Sequence, residues 1–366
     1  FMANNFCQLM GVKNFSRADL KQINVGKVIS LTPEIGEYYE TLSGYAAKRD
    51  LETLMQMIHL YVTEPNFDQQ EFNHQIEKIK STLNNRKGLP KAEYSQEVQG
   101  VKYNHHPRKT SLTLEKVNTI TFEKTKQIYQ ERFANAGDFT FIFTGDIDLE
   151  KLKPLVETYI ASLPTTGVKQ EYKDNHVRYA KGKIIRHIEK ELTTDKASIS
   201  VLYTAKLPYS AENKILSAAF RYILRDRYMK SIREEKGGAY SVSVNATEEA
   251  VPTNQITIEV NFDTAPFMAD EMLAIVQKEI DDLVKNGPSS SELENAQRYF
   301  NKLYKTNIST NSYWLETLSD YYRYGIDNFT NYENTMNGLT PSDIRKFAKT
   351  VFGQKNKMEF VLLPKK

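Results

Sequence analysis

An internal repeat constrains this sequence more than any single motif does. Residues Asn118–Thr144 align without a gap on Asn337–Leu363, an offset of 219 residues. Thr121 then meets Thr340, Ile128 meets Phe347, Phe133 meets Phe352, Phe141 meets Phe360 and Ile142 meets Val361. Both blocks read as a capping Thr, an amphipathic helix, an aromatic stop, a short loop and an apolar strand. Upstream the offset drifts to 221, where Glu71 meets Glu292 and the helix at Asp50 meets one near Asp270. Identity between the halves is low, so the repeat is one of pattern. A fold built twice from the same supersecondary units is what such a chain implies.

The elements follow in order. Phe1–Met10 reads as the end of a helix stopped by Gly11. Lys27–Leu31 and Glu34–Ser43 read as paired strands with Pro33 at the turn. Asp50, Asp68, Thr121 and Asp148 stand where helices begin, and Phe139–Thr144 reads as a short apolar strand. The polar stretch Pro164–Gly182 separates the halves. This gives domains at 1–163 and 183–366, joined by a linker at 164–182. In the second half, strands are expected at Ile184–Glu189, Ala197–Ala205, Gln255–Asp263 and Met358–Leu363. Helices are expected at Asn213–Arg233, Pro266–Lys285, Ser290–Thr306, Asn311–Tyr324 and Pro341–Val351. The fold class is α+β, with helices packed on one face of a mainly antiparallel sheet in each domain. Run backwards, the offset places Phe1 inside the counterpart of the Asn213–Arg233 helix. The first domain is therefore expected to be truncated at its N-terminus by about 40 residues, with a sheet short by two strands.

The balance of 49 basic against 46 acidic residues, net +3, carries no footprint for nucleic acid. One cysteine, Cys7, excludes an intrachain disulfide framework and a Cys-based zinc finger. No apolar run is long enough to span a membrane. The six histidines (His59, His74, His105, His106, His176, His187) include no pair at the spacing that puts two imidazoles on one helix face. No nucleophile elbow, phosphate loop or dinucleotide fingerprint occurs.

Arg233–Tyr240, read Arg-Glu-Glu-Lys-Gly-Gly-Ala-Tyr, is the most distinctive stretch. Gly237 and Gly238 end a helix, and Tyr240 opens an alternating run through Val242 and Val244. An Arg in a helix's last turn is favourable on electrostatic grounds alone, and Tyr suits strands. The stretch by itself leaves an ordinary helix end and a functional pair both open.

The order of elements, the duplication and this stretch together resemble the C-terminal half of an M16-family zinc peptidase, the pitrilysin and insulin-degrading-enzyme group. The resemblance runs from Leu9-Met10-Gly11-Val12 to Phe360. It takes in Asp50–Leu54, Asn104–Arg108, Arg132-Phe133 with Phe139–Phe141, and Arg233–Val242. It implies four related domains in two halves that enclose a peptide, this chain being the third and fourth. The family's His-x-x-Glu-His zinc motif is absent from Phe1–Met10 and Asn213–Arg233, the helices that would hold it. The resemblance thus implies no metal ligand in this chain, zinc in the full-length enzyme, and no activity of this piece in isolation. It makes Arg233 and Tyr240 substrate-binding and catalytic residues, reaching in trans to peptide near the zinc. The implied partners are the N-terminal half of the same polypeptide and peptide substrates. The periplasm or cell envelope is the compartment it favours. The other readings are a non-catalytic M16-like scaffold or peptide-binding subunit, and a free-standing α+β binding module.

Overall fold

The structure is a computed structural model that describes residues 2–170 and 172–365. Phe1 of the expected helix Phe1–Met10, Glu171 in the expected linker and Lys366 lie outside the described residues. The chain divides into two compact units. The first comprises Phe1–Lys87 with Leu112–Lys173, and the second Gly88–Ser111 with Asp174–Lys366.

In the first unit the repeat's caps form as their residue types dictate. The Asp68 carboxylate accepts from the Gln70 and Glu71 N–H groups to start the helix Gln69–Arg86. Thr121 accepts from Lys124 N–H at the start of Phe122–Phe133, and Asp148 does the same for Leu149–Tyr159. Such a side-chain cap satisfies one N–H that the helix cannot bond internally. Asp50 departs from this pattern. It makes no cap bond to the helix Leu51–Thr63; its carboxylate accepts from Val28 N–H at 2.9 Å. The ladders are β1 (Gly11–Val12), β2 (Ile29–Ile35), β3 (Glu40–Ala46) and β4 (Pro65–Asn66), paired β1 with β4 and β2 with β3, both antiparallel. Pro33 does not make the turn. It lies inside β2 opposite Leu42, in a two-stranded ladder whose outer edge asks for no N–H donor. A core of Phe6, Met10, Tyr61, Phe72, Tyr129 and Phe133 fills the unit, with the Tyr129 hydroxyl donating to Tyr61 O at 2.9 Å.

The strand expected at Phe139–Thr144 does not form as one. The segment joins no ladder among the described residues. Its apolar side chains are used in packing: Phe139 stacks on Phe133 at 5.7 Å, and Phe141 and Phe143 pack around Leu54, Met55 and Ile58. The counterpart in the second unit shows what a ladder there requires, because it is a strand with a neighbour on each side.

The second unit is a five-stranded sheet of β5 (Lys183–Lys190), β6 (Ala197–Lys206), β7 (Ser243–Glu249), β8 (Gln255–Thr264) and β9 (Asn356–Pro364). The order is β5-β9-β6-β8-β7. Only β5 with β9 is parallel; the other pairs are antiparallel. Along β6 the side chains alternate. Ala197, Ile199, Val201, Tyr203 and Ala205 enter the main core, while Leu202 turns to the other face with Met358 and Phe360. The main core is covered by the helices Ala211–Tyr228, Ala269–Lys285, Ser290–Asn307 and Pro341–Phe352, which contribute Phe220, Ile223, Val276, Ala296 and Phe347 among others. Burying each large side chain contributes roughly 1.5–3 kcal/mol. The helix Tyr332–Gly338 was not foreseen, since seven residues with one buried apolar side chain, Met336, show no period.

The opposite face is covered as well, which corrects the expectation of helices on one face. Tyr94, Val98 and Val101 of the helix Pro90–Lys102 pack on Leu202, Met358 and Phe360. Lys102 Nζ bonds Glu259 Oε1 at 2.6 Å, and Ala180 N–H donates to Lys102 O at 2.8 Å. This helix precedes residue 163 yet folds with the later unit. An apolar sheet face of this size must be buried, and the helix supplies its cover.

Candidate functional site

The helix Ala211–Tyr228 begins at Ser210, whose hydroxyl accepts from Asn213 N–H. It runs to Tyr228 and then widens into a π-helical turn, Met229–Glu234. Glu235 N–H donates to Lys230 O at 2.9 Å, five residues back, and Gly238 N–H to Ile232 O at 2.8 Å. Turns of this width inside helices are uncommon and concentrate at functional sites. Two things hold the widened turn. Tyr228 and Ile232 are both fully buried, pinning its inner side. The Arg227 guanidinium bonds Glu292 Oε1 from Nε at 2.6 Å and Asp282 Oδ2 at 2.7 Å, with Glu279 at 3.5 Å. Arg227 thereby ties the end of this helix to two others.

Arg233 follows buried Ile232 and so faces outward. Gly237 has φ +60, a left-handed conformation that only glycine adopts freely, and its N–H donates to Arg233 O at 3.0 Å. Gly238 lies against Met272: a Cβ there would stand 2.1 Å from Sδ. Ala239 and Val242 are buried and Tyr240 between them is 87% exposed, so the return is anchored on both sides of a projecting Tyr. The strand opens at Ser243, three residues later than the sequence suggests. Tyr240 belongs to the loop, because the ladder with β8 begins only where Ser243 meets Asn261.

The return brings the two named residues together. The Arg233 guanidinium carbon stands 5.3 Å from the centre of the Tyr240 ring, a cation–π stack worth about 0.5–1 kcal/mol at an exposed site. Lys236 Nζ bonds Glu271 at 2.8 Å and fixes the loop's other side. The result is an exposed phenol O–H beside a guanidinium whose N–H groups are all donors. Such a pair suits an oxygen acceptor carrying partial or full negative charge, such as a peptide carbonyl. The sequence reading missed Arg227 and the π turn. Arg227's partners lie 55 and 65 residues away in sequence, beyond the reach of local spacing.

The histidines do not gather. His59 Nδ1 meets Tyr159 O at 2.9 Å, His187 pairs with Glu359 at 3.2 Å on β5 and β9, and His106 Nδ1 accepts from Arg108 N–H. Among the described residues no group of three or more His, Cys, Asp or Glu could hold a metal ion. The zinc implied by the resemblance therefore has no fitting ligand set there. Cys7 is buried with its Sγ donating to Ala3 O at 3.0 Å, and burial pushes its thiol up to about 12, away from the thiolate that a reactive cysteine needs. Among the described residues no helix is long and apolar enough to cross a membrane.

Residues 119–300 match the family described as the peptidase M16 inactive domain. A probable zinc protease PqqL of Haemophilus influenzae is 23% identical over 323 residues, covering 85% of this chain and 34% of that protein. The chain thus spans about a third of the length of such curated relatives. The crystal structure of the periplasmic protease PqqL from Escherichia coli superposes with a TM-score of 0.87 at 19% identity, over 100% of this chain and 40% of that one. A peptidase M16 inactive domain from Pseudomonas fluorescens gives 0.80 at 18% identity, over 100% of this chain and 88% of that one.

Proposed function

We propose, from the match of residues 119–300 to the peptidase M16 inactive domain and the likeness to zinc proteases, that the chain is an M16-family member and the C-terminal half of a zinc endopeptidase, contributing substrate contacts to a hydrolytic centre on the N-terminal half. In this reading 1–163 and 183–366 derive from the third and fourth of four related domains, with 164–182 between them. The observation that carries it is the Arg233–Tyr240 stack, an exposed donor pair set by a π turn and a glycine return. The zinc belongs to the half outside this chain and supplies the hydrolytic chemistry there. This chain's part is to hold the peptide and to donate hydrogen bonds. The Tyr240 O–H donates to the carbonyl oxygen on which charge develops, a kind of contact whose loss typically lowers the rate by about 10²–10³. The Arg233 fork holds a neighbouring peptide oxygen and, through the stack, steadies the phenol ring. The likeness to a periplasmic protease supports a periplasmic or envelope location.

The test is kinetic and uses the full-length enzyme. Arg233→Ala should raise KM and lower kcat together, because position and charge are lost in one change. Arg233→Lys should recover only part, since an ammonium neither forks nor stacks as a guanidinium does. Unchanged constants in Arg233→Ala, with zinc content intact, would favour the scaffold reading.

A further inference from the structure

Phe267 is 88% exposed, more than any other large apolar side chain among the described residues. A lone exposed apolar residue is usually unremarkable. Here it sits on a constrained turn, the 3₁₀ turn Pro266–Met268 between β8 and the helix Ala269–Lys285. Pro266 fixes its φ, Met268 N–H donates to Ala265 O at 2.9 Å, and buried Thr264 and Ala269 anchor both flanks. Phe267 is held out into solvent by ordered backbone.

Three observations place this turn beside the Arg233–Tyr240 return. Ser243 pairs with Asn261 at the first step of the β7–β8 ladder, so Tyr240, three residues before, and Thr264, three residues after, leave the sheet at the same end. Lys236, in the return, bonds Glu271, one helical turn after Phe267. Gly238 packs directly on Met272. The two most exposed large apolar-bodied side chains of the described residues, Tyr240 and Phe267, thus flank one loop.

We propose that Phe267 is a specificity-determining residue that receives an apolar side chain of the peptide held by Arg233 and Tyr240. This rests on the peptidase reading above and adds a side-chain preference to it. Arg233 and Tyr240 address peptide oxygens, which every sequence carries. Phe267 offers no hydrogen bond and gains only by covering apolar surface. Asp270 and Glu271 beside the turn disfavour an acidic peptide side chain there, and the neighbouring cation, Lys236, is already paired with Glu271.

The experiment uses full-length enzyme and peptides that differ only by Leu or Ser at single positions flanking the cleaved bond. At one position the Leu peptide should be preferred. Phe267→Ala should cut that preference in kcat/KM by about tenfold, chiefly through KM. Phe267→Leu should keep most of it, and Phe267→Glu should abolish it. With Phe267 so exposed, unfolding temperatures should match the wild type. Tyr240→Phe should lower kcat on both peptides alike and leave the preference intact. A preference unchanged in Phe267→Ala, or an equal loss on Leu and Ser peptides, overturns this inference alone. Full kcat in Tyr240→Phe overturns the parent reading instead.

Discussion

Gly237 shows how a single residue sets the site. Its φ of +60 turns the chain from the π turn toward the sheet, with nothing within 4 Å of an added Cβ. Gly237→Ala would meet no neighbour, so its cost is backbone strain alone. Chemical denaturation should show a loss of about 1 kcal/mol, and Gly237→Asn a smaller one, because Asn tolerates this conformation. The same change should loosen the Arg233–Tyr240 stack and cost activity beyond what stability explains. At this scale much was legible: the two glycines, the Arg in the final turns and the Tyr seven residues on are readable by residue type. That Tyr240 precedes the strand was not, because the ladder's first pair, Ser243 with Asn261, is set by a partner 18 residues away.

Helices and strands were mostly found where hydrophobic period and caps agree, as in Ser290–Asn307, whose Ser289 and Glu292 form a reciprocal capping box. Glu292 also serves the Arg227 clamp, which no period announces. The Arg227 hydrogen bond, with help from Asn286, holds the Asp282 carboxyl below its ordinary 3.8. For Glu292 burial pushes upward, yet bonds from Arg227 and Ser289 prevail and hold it below 4.5. A carboxylate with a lowered folded-state pKa stabilises the fold above its ordinary value and loses that stabilisation as pH falls through the folded value. Stability should therefore drop as pH is taken from about 5 to about 3. Arg227→Met should cost about 2 kcal/mol at neutral pH by stranding partly buried carboxylates, and urea midpoints should show a shallower fall with acid. An unchanged acid slope in Arg227→Met would deny the clamp its role.

Across the whole molecule, the duplication predicted the α+β class and most of the element order, but not the path of the chain. The helix Pro90–Lys102 falls within the expected first domain, 1–163, yet its Tyr94, Val98 and Val101 bury the outer face of the later sheet. Chain order cannot reveal which sheet face still needs a cover. Val98→Asp or Val101→Asp should destabilise the second unit by about 2 kcal/mol. Hydrogen exchange should quicken in β6 and β9 and leave the helix Leu51–Thr63 protected as before. Likewise Phe139–Phe143 has the composition of a strand, but a ladder needs neighbours such as those that hold β9. On the proposed function, a chain of this kind acts at the scale of the whole molecule, by lending Tyr240 to a reaction centred on another half. The most direct measurement is kcat of Tyr240→Phe in the full-length enzyme under saturating peptide, with zinc content and unfolding temperature checked alongside. The account predicts a fall of about 10²-fold or more with metal and stability unchanged, and a near-normal kcat would contradict it.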